Sequence, residues 1–143
     1  MRIKDVIQGK SSQDVVTISP DATVRELLSL LAEHNIGALV VSADGSDVAG
    51  IVSERDVVRQ LSGSDTVLDG PVSAIMTSQV RSAQPDSQLD DLMALMTEHR
   101  VRHVPIVADG QLTGIVSIGD VVKHKISELQ FERDQLDSYV QQY

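Results

Sequence analysis

The sequence predicts an α+β fold in which two copies of a strand-helix-strand-strand-helix unit pack as one pseudo-two-fold module, with a C-terminal helical extension. Three observations predict it. The nonapeptide GIVSERDVV, from Gly50 to Val58, returns as GIVSIGDVV from Gly114 to Val122. At a shift of about 65 residues, Pro20-Asp21 falls on Pro85-Asp86, Glu33-His34 on Glu98-His99 and Asp44-Gly45 on Asp109-Gly110; after the loss of one residue, Gly50 falls on Gly114. The apolar pattern repeats too. Val24, Leu27, Leu28 and Leu31 match Leu89, Leu92, Met93 and Met96, which is the i, i+3, i+4, i+7 stripe of an amphipathic helix.

The elements follow in order. In residues 1–61, the first repeat, that helix is followed by apolar runs at Gly37 to Val41 and Val48 to Val52 around Asp44-Gly45, the pattern of a hairpin. The nonapeptide then leads into a second helix. Residues 62–70 are rich in Ser, Gly and Asp and read as a linker. Residues 71–126 repeat the unit, with strand runs at Val104 to Val107 and Leu112 to Val116. One unit of about sixty residues is marginal alone, so the halves are expected to pack together. The extension, 127–143, continues a helical pattern in which Val122, Ile126, Leu129, Arg133, Leu136, Val140 and Tyr143 alternate spacings of four and three. That is a coiled-coil seam broken only by Arg133. It fits a helix folded back on its own module or a dimer contact, and its position beyond the duplicated unit favours the dimer.

Composition narrows the function. With 41% hydrophobic but only 2% aromatic residues and no Trp, the core must be aliphatic, and any ligand pocket is expected to be lined by Val, Ile, Leu and Ala. A net charge of −9 argues against nucleic acid, whose backbone is gripped by Lys and Arg, and against anionic membranes. The absence of Cys excludes disulfides and thiolate chemistry. MRIKDVIQGK lacks the apolar core of a signal peptide, and the longest apolar run is too short to span a bilayer. The expectation is a soluble, cytoplasmic protein.

The repeated nonapeptide has two readings. Ser53-x-x-Asp56 and Ser117-x-x-Asp120 both fit a capping box, in which Ser and an acid three residues later satisfy the first free N–H groups of a helix. A box of this kind recurs simply because the unit was duplicated. The same geometry also offers backbone N–H groups and the positive end of a helix dipole to an anion. A first-turn Asp can accept hydrogen bonds from a ribose diol, so a nucleotide fits both ends of the motif.

The two GIVSxxDVV copies, the run His103-Val-Pro-Ile-Val107, the paired Pro-Asp helix starts and the duplication together resemble the cystathionine-β-synthase (CBS) domain pair, or Bateman module. The resemblance covers the chain apart from its tail. It implies β-α-β-β-α repeats and adenosine-containing ligands in two clefts between them, with Asp56 and Asp120 on the ribose and Ser53 and Ser117 near the phosphate. The first cleft would join Ser53, Arg55 and Asp56 to an opening strand at Gln79-Val80 and to Val101-Arg102-His103. The second would join Ser117, Ile118 and Asp120 to Asp14-Val15 and Ile36-Gly37-Ala38. Arg55, Arg102 and His103 in the first cleft face Gly119, Gly37 and Ala38 in the second, so phosphates should prefer the first.

Other chemistry is thinly supported. His99 and His103 are four apart, but the resemblance sets them on a helix end and a strand, which breaks the spacing of a zinc pair; no metal is expected. No Walker loop, G-x-G-x-x-G or nucleophile motif is present. The sequence therefore predicts a freestanding, non-catalytic homodimeric sensor of AMP, ADP, ATP or NAD(H) that acts through an unnamed partner protein. The alternatives are an interaction module with no nucleotide and a binder of S-adenosylmethionine.

Overall fold

The fold was described from a computed structural model covering residues 1–9 and 15–142. Five helices, α1 (Ile3–Gln8), α2 (Val24–His34), α3 (Glu54–Leu61), α4 (Leu89–His99) and α5 (Ile118–Gln142), alternate with β1 (Thr17–Ile18), β2 (Ala38–Val41), β3 (Gly50–Ser53), β4 (His103–Ala108) and β5 (Gln111–Ser117). The order β-α-β-β-α is complete in the first copy, from β1 to α3; the second runs α4-β4-β5-α5, without a regular opening strand. In the first copy β1 runs parallel to β2, which pairs antiparallel with β3, setting Ala38 opposite Ser53. In the second, β4 and β5 are antiparallel with His103 opposite Ser117, and a single parallel bridge from Ala83 to Ile106 stands where β1 stands in the first.

The helical stripes bury as their spacing predicts. Val24, Leu27 and Leu31 of α2 face one aliphatic core, and Leu89, Leu92 and Met96 of α4 face another. Each fully buried side chain of this kind contributes about 1.5–3 kcal/mol. The helix starts differ: Thr23 and Glu26 form a reciprocal capping box on α2, whereas Gln88 gives α4 no side-chain cap. Both helices end on a left-handed residue, Asn35 at φ 52° and Arg100 at φ 55°.

Core membership crosses the sequence boundary between repeats. Ile3 and Val6 of α1 lie in the second repeat's core, while Val72, from the opening of the second repeat, lies in the first's. The backbone repeats this exchange: the Lys4 N–H donates to the Pro85 carbonyl, and the Ser73 N–H donates to Pro20. Residues 62–70 do more than link, because a 3-10 helix at Asp65–Asp69 packs Val67 and Leu68 against the first core.

The two hairpins diverge at their tips. Asp109 and Gly110, at φ 52° and 76°, make the two-residue turn between β4 and β5 that matches strand twist. The first hairpin takes a wider loop over residues 42–49, in which Asp44 Oδ1 accepts from the backbone N–H groups of Ser46 and Asp47 at 2.9 and 3.0 Å. Those bonds, that of Ser46 foremost, hold the Asp44 carboxyl well below its usual range. The turn is tied to the other repeat where the Leu112 N–H donates to the Ser46 carbonyl at 2.7 Å.

The glycine that opens each nonapeptide has a packing reason. A Cβ on Gly50 would lie 2.7 Å from Met76 Sδ and 2.8 Å from the Thr77 carbonyl oxygen; one on Gly114 would meet the tip of Ile7 at 3.0 Å. Thr77 is held against β3 by paired hydrogen bonds with Ile51, at 3.0 and 2.9 Å. The chain thereby crosses from the first core toward the second repeat along the edge of β3.

α5 leaves the module as a 25-residue helix. Its base is fixed by Val121 in the second core and by Lys125, which meets Asp90 of α4 at 3.1 Å. The hydrogen bond from Asp90 raises the Lys125 pKa. Beyond this, Ile126, Leu129, Leu136 and Val140 are half or more exposed along the predicted seam; Tyr143 lies outside the described residues. Among the described residues, no helix is long and apolar enough to cross a membrane.

Candidate functional site

Both nonapeptides form the predicted capping box. The Ser53 N–H donates to Asp56 Oδ2 at 2.9 Å, and the Asp56 N–H donates back to Ser53 Oγ at 3.4 Å. At α5 the same pair of bonds, Ser117 N–H to Asp120 Oδ2 and Asp120 N–H to Ser117 Oγ, measures 2.9 and 3.2 Å. Each helix start is also stitched to the strand beside it, by Glu54 N–H to the Gly37 carbonyl and Ile118 N–H to the Arg102 carbonyl. The box uses Oδ2 of Asp56 and leaves Oδ1 out of the cap.

A cavity of about 310 Å³ opens beside the first of these helix starts. Ser53, Arg55 and Asp56 line one side, and Gln79, Val80, Val101, Arg102 and His103 line the other, so every residue assigned to the first cleft from sequence meets there. Gln79 and Val80 contribute from irregular chain, not from the opening strand expected; the regular pairing in this segment is at Thr77 and Ala83. Gly37 and Ala38, grouped by sequence with the second cleft, also line this cavity. The register explains it, because Ala38 is the cross-strand partner of Ser53 and the Gly37 carbonyl accepts from Glu54. His103 reaches the same point from the second repeat, its Cε1 lying 3.8 Å from where a Gly37 Cβ would be.

Sequence reasoning missed part of this lining. Arg59, Arg81 and Arg100 also face the cavity, with Glu54, Ile51 and Thr77. The signal was adjacency: Arg59 stands one helical turn after Arg55, Arg81 follows Val80, and Arg100 precedes Val101. The expectation of a purely aliphatic pocket fails for the same reason. The apolar periodicity describes faces turned to the cores, whereas the cleft is walled by helix starts and loop residues outside that pattern.

The residues assigned to the second cleft are only partly placed. Ser117 closes β5, and Ile118 and Asp120 lie in the first turn of α5, with Ile118 46% exposed. Val15 is half-buried, Ile36 is 39% exposed beside the end of α2, and Asp14 lies outside the described residues. No group of three or more His, Cys, Asp or Glu side chains able to hold a metal occurs among the described residues. His99 closes α4 and His103 opens β4, on separate elements as expected.

Comparison with known proteins agrees with this architecture. The CBS domain family model matches residues 3–63 and 72–127. The CBS domain-containing protein YhcV of Bacillus subtilis is 32% identical over 121 residues, covering 85% of this chain and 86% of its own. The mitochondrial CBS domain-containing protein CBSX3 of Arabidopsis thaliana is 35% identical, covering 97% and 71% respectively. Among solved structures, the CBS-domain containing protein ATU1752 from Agrobacterium tumefaciens superposes with a TM-score of 0.82 at 44% identity, over 87% of this chain and 99% of that one. The CBS domain pair of protein MJ0100, solved with 5′-methylthioadenosine and S-adenosyl-L-methionine, shares the fold at a TM-score of 0.79 and 23% identity, over 90% and 98%. Two interlocked units, each with a Gly-Ile-Val-Ser strand end running into a capped helix, are thus a matched tandem, and the chain belongs to the CBS domain family.

Proposed function

We propose that this CBS pair is a cytoplasmic regulatory module that binds an adenine nucleotide, AMP, ADP, ATP or NAD(H), in the first cleft and signals to a partner protein. The observation that carries this reading is the cavity joining Asp56 at a helix start to Arg102 and His103 of the other repeat. Asp56 Oδ1 and the half-exposed start of α3 would take the ribose and first phosphate. The cations would take the remaining charge. Because both repeats wall the cavity, a bound ligand favours the packing it fits best, by no more than its differential affinity for the two settings. No catalytic step belongs to this reading.

The adenosine-containing ligands of MJ0100 support the class of ligand. S-adenosylmethionine, with its sulfonium, is the weaker candidate for a cleft lined by guanidinium groups. A thermal-shift panel of AMP, ADP, ATP, NAD, NADH and S-adenosylmethionine tests the reading. A ligand at a hundred times its dissociation constant should add about 2.7 kcal/mol of stability. No shift with any of them at about millimolar concentration would leave an interaction module whose acids are only caps.

Assembly as a homodimer through α5 belongs to the same proposal. It is supported by the exposed seam of Ile126, Leu129, Leu136 and Val140. Truncation after Glu128 should lower the sedimenting mass; an unchanged mass would remove α5 from the interface.

A further inference from the structure

We propose that the first cleft is built for a nucleotide bearing a chain of two or three phosphates, with Arg59, Arg81 and Arg100 holding the phosphates beyond the first. This rests on the nucleotide reading above and adds the class of nucleotide. The chain carries a net charge of −9, yet five of its eight arginines, Arg55, Arg59, Arg81, Arg100 and Arg102, line one cavity. The other three are all engaged with carboxylates: Arg2 with Asp86, Arg25 with Asp69 and Arg133 with Asp134. Among the described residues, none of the five cleft guanidinium groups has an ion-pair or hydrogen-bond partner. In a chain with 21 acidic residues, such a concentration of unanswered cations is what a polyanionic ligand would complete.

The charge balance selects among nucleotides. Glu54 and Asp56 are the carboxylates in the lining, and five guanidinium groups less two carboxylates leave an excess of three. A monophosphate brings at most about two negative charges, short of that excess, whereas a di- or triphosphate chain meets or passes it. Position agrees with charge. Arg55 and Arg59 are one turn apart on α3, about 6 Å along its axis, and Arg81, Arg100 and Arg102 come from the second repeat. A ligand extended along this line touches both repeats and relieves the repulsion between their like charges.

Arg100 supplies an independent indication. It occupies the left-handed helix terminus at φ 55°, where the first repeat uses Asn35 at φ 52°. Asn is the non-glycine residue that adopts this conformation with least strain, so Arg is the poorer structural choice. Arg100 lines the cavity. An Arg kept at this position beside the cleft fits a role toward the ligand better than a role in the cap.

The test is calorimetric titration of the full chain with adenosine, AMP, ADP and ATP at one ionic strength without Mg²⁺, repeated for Arg81→Ala and Arg100→Asn. ATP should bind at least about tenfold more tightly than AMP, and each variant should lose about fivefold or more for ATP while holding AMP within about twofold. Arg100→Asn should melt no lower than the parent, which shows that its loss of ATP is not a loss of fold. AMP and ATP binding within about twofold of each other, or variants that weaken both equally, would overturn the phosphate-chain assignment and leave the nucleotide reading standing. Failure of adenosine, AMP, ADP and ATP alike to bind would overturn the nucleotide reading itself.

Discussion

The two copies of the nonapeptide belong to repeats whose matching positions carry different charge. Around the first copy stand Arg55, Arg59, Arg81, Arg100, Arg102 and His103; in the register of the repeat their counterparts are Gly119, Lys123, Val16, Asn35, Gly37 and Ala38. Six side chains able to carry positive charge are matched by one. The backbone, by contrast, is nearly the same in both places: a Ser-Asp capping box, with the next residue's N–H bonded to the neighbouring strand. Duplication thus provides the helix-start geometry twice, with unequal side chains at the matching positions.

The comparison can be broken most directly at the two acids. Asp56→Ala should cost first-cleft nucleotide binding about 1.5–3 kcal/mol, the worth of hydrogen bonds to a charged group, while Asp120→Ala should leave that cleft's affinity unchanged by calorimetry. Equal losses from both changes would mean the clefts are misassigned. Next come the opening glycines. Gly50→Ala forces a Cβ to within 2.8 Å of the Thr77 backbone oxygen, whereas Gly114→Ala presses only on the flexible end of Ile7. Urea denaturation should register about 1–3 kcal/mol for the former and clearly less for the latter. A larger loss at Gly114 would show that α1 is packed as rigidly as the crossing segment.

A gain-of-charge change sharpens the contrast. A Cβ on Gly119 would meet nothing nearer than Ser117 Oγ at 3.6 Å, so Gly119→Arg should be accommodated. If charge is what separates the clefts, it should strengthen a second nucleotide-binding event several-fold, by about 1 kcal/mol; a titration in which that event is unmoved would assign the difference to backbone shape. The smallest effect concerns the hairpin tips. The Asp44 carboxyl is held below its ordinary value of 3.8, so its contribution to stability is fully present above that pH and is lost as the pH falls through the lowered value. Asp44→Asn should therefore lower stability slightly near neutrality and converge with the parent in acid, and an unaltered pH dependence would count against the loop's role.

Much of this was legible in the sequence, for identifiable reasons. α2 and α4 follow from Val24, Leu27 and Leu31 and from Leu89, Leu92 and Met96, because a buried face imposes its period on the residues that fill it. Ser53, Asp56, Ser117 and Asp120 could be placed because a cap depends on a three-residue spacing. The exchange of Ile3 and Val72 between cores could not be read, since an apolar residue does not specify which core receives it. Gly37 and Ala38 line the first cleft for a similar reason: register, set by Ala38 opposite Ser53, is a pairing between distant segments. Arg59, Arg81 and Arg100 were hidden because exposed cations carry no periodic signal, and only the fold reveals that they converge.

The crossed cores also govern the order in which this chain can become a protein. During synthesis the first repeat lacks Val72 until the ribosome has passed the linker, so residues 1–61 are not expected to close their core as they emerge. Ile3 and Val6 wait longer, until Val116 and Val121 complete the second core they belong to. At about 5–20 residues per second, the apolar face of α1 stays uncovered for roughly 6–25 s. A segment made well before its core partners is thus among the last to be buried.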